Sequence, residues 1–131
     1  MCGNSINSTA WKQEFYADVE PIKLREPLAE FLGAVNEGEE FVFTYTDAVK
    51  LAGHSCPAVS GAYKITQKAL QSLYKNELPV RGEISVEILG DVDNGANGPV
   101  SQVISLITGA APETGFAGLG QKFVRKNKLT F

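Results

Sequence analysis

A chain of 131 residues, 44% hydrophobic and 21% charged, has the size and composition of a single domain able to bury a core. Its net charge of −3 lacks the basic excess expected of a nucleic-acid binder. No apolar run approaches the roughly 20 residues needed to cross a bilayer, so neither nucleic acid nor a membrane is an expected partner.

In chain order, residues 1–8 are rich in Asn, Ser and Gly and read as disordered. They show no basic region followed by an apolar run, so no signal peptide is expected. Cys2 and Cys56 make a poor disulfide framework, which favours a reduced, cytoplasmic protein. Trp11, Phe15 and Val19 stand at near-helical spacing until Glu20-Pro21 interrupts them. Leu28, Phe31, Leu32 and Val35 give a second helix one apolar face, starting near Pro27 and ending at Asn36-Glu37-Gly38. The β-prone run Phe41–Tyr45 reads as a strand. Thr46-Asp47 offers an N-cap for a short helix that Gly53 stops.

The longest helix is expected from Pro57 to about Tyr74, with Val59, Ala62, Tyr63, Thr66, Leu70 and Leu73 in a stripe that fits the 3.6 period. Glu83–Ile88 alternates polar and apolar and reads as a half-buried strand. A turn-rich loop, residues 90–98, leads to a helix opened by Pro99, carrying Val100, Val103, Ile104 and Ile107 and closed by Gly109. The glycines at 115, 118 and 120 contain no complete dinucleotide fingerprint. They lead to a basic run, Lys122, Arg125, Lys126 and Lys128, in an alternating strand that ends in Leu129 and Phe131. That run reads as a solvated strand, with a phosphate or carboxylate site as the alternative. Helices and strands mix without a regular βαβ repeat, so the expected fold class is α+β, a mixed sheet packed against helices.

The chemistry concentrates at Gly53-His54-Ser55-Cys56-Pro57, which holds the only histidine. With Pro57 as the first helical residue, Cys56 stands at the N-cap, where unpaired N–H groups and the helix dipole favour a thiolate. His54 and Cys56 form a borderline-soft pair suited to zinc or a similar transition metal. Further ligands are sought in the loop before the later helix, where Asp91 and Asp93 offer carboxylates and Asn94 and Asn97 offer amides. Gln102 follows in that helix. Asp91, Asp93 and Asn94 are also ordinary turn formers. Two helix N-termini meeting at one cleft would make a site favourable to anions. Tyr45 and Tyr63 are candidates to point hydroxyls into a site, with core packing as the competing reading. Direct catalysis by a Cys56 nucleophile with His54 as its base is a third possibility.

The same stretch, with Gly61 and Tyr63 following in a helix, resembles the Gly-His-x-Cys-Pro signature of the FmdE-like family. That family takes its name from one of the subunits of formylmethanofuran dehydrogenase. Leu106-Ile107-Thr108-Gly109-Ala110 resembles the family's Leu-Thr-Gly ending of a later helix, and Gly118 with the basic run resembles the segment after it. The likeness covers about residues 41–131. It implies an α+β core, often dimeric, with His54 and Cys56 lining a metal-binding active site related to one-carbon chemistry. The chain departs from the pattern in its later loop, Asn97 to Gln102, which has no cysteine and places Gln102 near the family's Asp. No cysteine follows Cys56, so the C-terminal zinc finger of some relatives is not expected, nor is a site for molybdopterin or an iron–sulfur cluster. A free-standing formylmethanofuran dehydrogenase is thereby excluded.

Two readings follow. In one, His54 and Cys56 bind a transition metal, completed by Asp91 or Asp93, which acts as a Lewis acid or activates water. In the other, a metal-free module uses two helix N-termini to hold a small anion or a partner's carboxylate, with Asn94, Gln102 and Tyr63 as ligand-binding residues. A homodimer and an unidentified small-molecule ligand are the expected partners.

Overall fold

The computed structural model describes residues 7–131. Residues 1–6, including Cys2 and most of the segment expected to be disordered, lie outside the described residues. Among the described residues, four helices and four short strands make an α+β domain: β1 Ile22–Leu24, α1 Pro27–Phe31, β2 Phe41–Phe43, α2 Tyr45–Ala52, α3 Pro57–Tyr74, β3 Val86–Glu87, α4 Asn97–Thr108 and β4 Leu129–Thr130. A 3-10 turn, Glu14–Asp18, precedes them. The strands divide into two separate pairs. β1 and β2 run antiparallel, with Ile22 opposite Phe43 and Leu24 opposite Phe41, whereas β3 and β4 run parallel.

The core lies where α3 packs on α4, with α2 and β1 closing it. Leu24, Val59, Val103 and Ile107 are its largest fully buried side chains. Two buried threonines inside these helices are satisfied locally: Thr66 Oγ1 donates to Ala62 O and Thr108 Oγ1 to Ile104 O, both at 2.8 Å. The residues between α3 and β3 tie back to β1, since Arg25 N donates to Pro79 O and Arg81 N to Arg25 O.

α3 begins and ends where its proline and apolar stripe place it, but Leu73, the last residue of that stripe, is 66% exposed because the core ends at Leu70. The other elements differ at their edges. Trp11, Phe15 and Val19 do not form an α-helix: the segment makes only the 3-10 turn, held by edge-on rings running from Trp11 through Tyr16 and Tyr45 to Tyr63. α1 stops at Phe31, because Gly33 takes a φ of +81° one residue after the C-cap. Phe31 and Leu32 consequently stand 68% and 62% exposed instead of lining a core. α2 starts at Tyr45, with Thr44 as its N-cap. α4 starts at Asn97, which puts Pro99 third in the helix, where its missing N–H is still one of the orphan donors.

The basic run departs most from expectation. Only Leu129–Thr130 is strand, and Arg125 is 6% exposed instead of solvated. Phe123 and Asn127 adopt φ of +64° and +62°, which breaks the extended alternation on either side of Arg125 and turns it inward. There its guanidinium donates from both Nη atoms to the buried Glu26 carboxylate.

Candidate functional site

Cys56 stands at the N-cap of α3, half-buried against the core, and Pro57 is the first helical residue. Its backbone is extended, its carbonyl accepts from Ser60 N at 2.9 Å, and no side chain caps the helix. His54 lies on the exposed approach, with Nδ1 3.2 Å from Ala52 O. Between them Ser55 Oγ shares a 2.5 Å hydrogen bond with Tyr45 OH. That contact pins the approach to the start of α2.

Asp91, Asp93 and Asn94 are exposed and make a turn, with Asn94 N donating to Asp91 O at 3.1 Å. Asn97 braces the same turn, its Nδ2 donating to Asp91 O at 2.8 Å. Among the described residues no group of three or more His, Cys, Asp and Glu is arranged to hold a metal ion. The donor set at His54 and Cys56 thus falls short of the three or four protein ligands a zinc site uses.

The starts of the two long helices open on different grooves. Pro57, Ser60 and Gly61 line one of about 450 Å³, whereas Gly98, Ser101 and Gln102 line another of about 440 Å³. The second lies beside Leu51 and Phe131, and Gln102 is exposed in it.

The α3 groove is walled by Phe15, Val19, Tyr45 and Tyr63. The Tyr63 hydroxyl spends its proton on the backbone, donating to Glu20 O at 2.7 Å. Burial, with the nearby Asp47 and Glu20 carboxylates adding to it, pushes that hydroxyl up to about 12, so it stays protonated. Polar groups sit in relay: Lys64 Nζ donates to Gln67 Oε1 at 3.2 Å, and Gln67 Nε2 donates to Glu20 Oε1 at 3.0 Å.

The capping pattern separates short helices from long ones. Glu26 Oε1 accepts from Leu28 N at the start of α1, and the Asp47 carboxylate accepts from Thr44 N at the start of α2. α3 and α4 begin at Cys56 and Ala96 with no side-chain cap.

No family model, curated protein or solved structure matches the chain. The likeness to the FmdE-like family therefore stays with the residues that carry it, chiefly Gly53 to Pro57. Among the described residues no helix is long and apolar enough to cross a membrane.

One charged cluster is not legible as a unit in the sequence. The Glu26 carboxylate, 3% exposed, receives Arg125 and also Arg81 Nη1 at 2.7 Å. Arg81 in turn donates from Nε and Nη2 to Leu106 O in the last turn of α4 and lies over the Phe41 and Phe43 rings. Burial by itself would push the Glu26 carboxyl up. The hydrogen bonds from Arg125 and Arg81 outweigh it and hold the group below the ordinary carboxylate range. Of the three residues, the sequence marks only Arg125, as part of the basic run. Glu26-Pro27 before a helix is the available signal for the carboxylate, since a Glu at that position caps as well as pairs.

Proposed function

We propose that this domain is a metal-free binding module that takes the carboxylate or phosphate end of a small apolar molecule at the start of α3. Gly61 is the observation that carries this reading. A glycine inside a helix costs roughly 0.5–1 kcal/mol relative to alanine. A Cβ added at Gly61 would meet nothing within 4 Å, so close packing does not require the glycine. It lies in the second turn of α3 and lines the groove, and its bare Cα leaves that groove open.

The groove's volume falls within the range of small-molecule clefts, and its aromatic and aliphatic walls suit an apolar ligand body. The N–H groups at the uncapped end of α3 supply donors and the positive end of the helix dipole for an anionic head. Lys64 adds a cation, and Glu20 offers an acceptor to any donor on the ligand. His54 and Cys56 hold the approach to this helix rather than a metal in this reading. The shortage of metal donors among the described residues supports the same choice.

The test is thermal stabilisation by a panel of aryl and alkyl carboxylates, such as phenylacetate and octanoate, in the presence of a chelator. A member of the panel should raise the melting temperature of the parent protein. Gly61→Leu, which fills the groove from an unobstructed position, should abolish that rise while leaving the helical circular dichroism intact. Stabilisation that disappears with chelator, or that survives Gly61→Leu, removes the proposal. Metal content of the parent and a His54→Ala/Cys56→Ala variant should be equal; a metal bound only by the parent would favour the FmdE-like reading instead.

A further inference from the structure

A third groove, of about 300 Å³, is bounded by Pro27, the Arg81–Glu83 turn and the segment from Gln121 to Lys128. Four of its lining residues are cationic: Arg81, Lys122, Arg125 and Lys128. This is a concentration of positive charge on a protein whose net charge is −3.

Local pairing does not consume that charge. One carboxylate, Glu26, is shared by two guanidinium groups, and Glu83 is the single acidic residue on the lining. Two positive charges remain in excess, which matches a phosphate monoester dianion. Donors remain as well as charge. Arg125 is more than nine-tenths buried and lines the groove, and its Nε has no hydrogen-bond partner among the described residues. A buried donor in that state costs free energy unless something accepts from it. Lys128 Nζ is anchored on Gly82 O at 2.7 Å, which uses one of its three protons.

The backbone makes room for this guanidinium. A Cβ on Gly82 would fall 2.6 Å from Arg125 Cζ, and one on Gly109 would fall 2.5 Å from Arg125 Nη1. Two bare Cα atoms thus form the slot, and Glu26 fixes the guanidinium within it. Lys122 sits on a tight turn, where Leu119 N donates to Lys122 O and Lys122 N donates back to Leu119 O. It is exposed at the rim, free to close over an occupant.

We propose that this groove binds the phosphate of a small phosphate ester, with Arg125 as a buried, pre-oriented donor through its unpaired Nε, Lys122 as a mobile point charge at the rim and Lys128 as a charge anchored on Gly82 O. Arginine and lysine divide this work by their chemistry: a rigid planar fork supplies directed donors, and flexible ammonium groups supply charge. The groove is distinct from the one at the start of α3, so failure of the carboxylate proposal leaves this one standing.

The probes are inorganic phosphate and glycerol 3-phosphate, titrated against the full chain at constant ionic strength and followed by phosphorus NMR line width and by melting temperature. Both probes should bind saturably and raise the melting temperature above a matched chloride control. Lys122→Ala/Lys128→Ala should weaken phosphate binding by about tenfold or more, the loss expected for two charge-assisted contacts. Lys126→Ala, exposed on the same run but outside the lining, should leave binding unchanged. Lys122 is exposed, so Lys122→Ala by itself supplies a folded variant if the double substitution disturbs the loop. No response beyond the chloride control, or equal weakening by Lys126→Ala and the groove variants, overturns the proposal.

Discussion

The two grooves recruit charge by opposite means. At the start of α3 the favourable potential comes from a regular helix whose first turn lacks a side-chain cap, beside walls of aromatic rings. At Arg125 it comes from side chains on irregular backbone, drawn from residues 81 and 122–128 and fixed by a carboxylate at residue 26. The first needs only a helix to exist. The second needs three distant segments to be in register, and its integrity is therefore the more sensitive to substitution.

That contrast can be broken most forcefully at Glu26. Glu26→Ala leaves two guanidinium groups without their shared carboxylate, and removing one partner of a buried pair costs about 3–5 kcal/mol. Urea denaturation should show a loss of that order. A loss below about 1 kcal/mol would mean that Arg81 and Arg125 find water or other partners, and that the register of the three segments does not depend on Glu26.

Acid should expose the same group. Glu26 is held below its ordinary value, so its contribution to stability is present above the usual carboxyl pKa of about 4.3. It is lost as the pH falls through the lower, folded value. Stability measured from pH 6 down to pH 2 should fall through this window in the parent, and Glu26→Gln should remove part of that fall. An identical profile in the two proteins would assign the acid sensitivity elsewhere.

Two glycines sharpen the comparison at smaller magnitude. Gly53 ends α2 and Gly109 ends α4, with nearly the same φ of +84° and +80°. An added Cβ meets nothing at Gly53, whereas at Gly109 it collides with Arg125 and Gly82. Gly53→Ala should cost only the left-handed penalty of about 1–2 kcal/mol. Gly109→Ala should cost about 1–3 kcal/mol more, through the displaced guanidinium. Equal losses in chemical denaturation would show that the Arg125 slot is soft.

At the α3 groove the expected effects are the smallest. Tyr63→Phe gives up the hydrogen bond to Glu20 O and should lower stability by about 1 kcal/mol. Gly61→Ala should do the reverse, stabilising α3 by about 0.5–1 kcal/mol because nothing obstructs the new methyl group. A destabilising Gly61→Ala would mean that the glycine serves packing, and the groove would lose its main support.

Legibility followed the range of the interactions. Pro57 marked the start of α3 to the residue, the stripe from Val59 to Leu70 marked its buried face, and Gly109 marked the end of α4. Cys56 falls at its N-cap for the same reason, since capping is settled by residues within one turn. The apolar repeat after Pro27 misled at Phe31 and Leu32, which stay exposed because the helix ends there as Gly33 leaves it. Glu83–Ile88 showed strand periodicity, yet only Val86 and Glu87 pair, since β4 alone reaches them and is two residues long.

The sequence by itself determined the α+β class, α3 with its N-cap, and the glycines that end α2 and α4, because these helix signals rest on neighbours a few positions apart. Tertiary structure decided what the charges do. Arg81 and Arg125 meet Glu26 across 55 and 99 positions of chain. No local pattern distinguishes such an arginine from a solvated one. The difference is made by desolvation: once α4 and the Gly82 turn close over Arg125, its charge must be paired or exposed, and Glu26 is the carboxylate within reach.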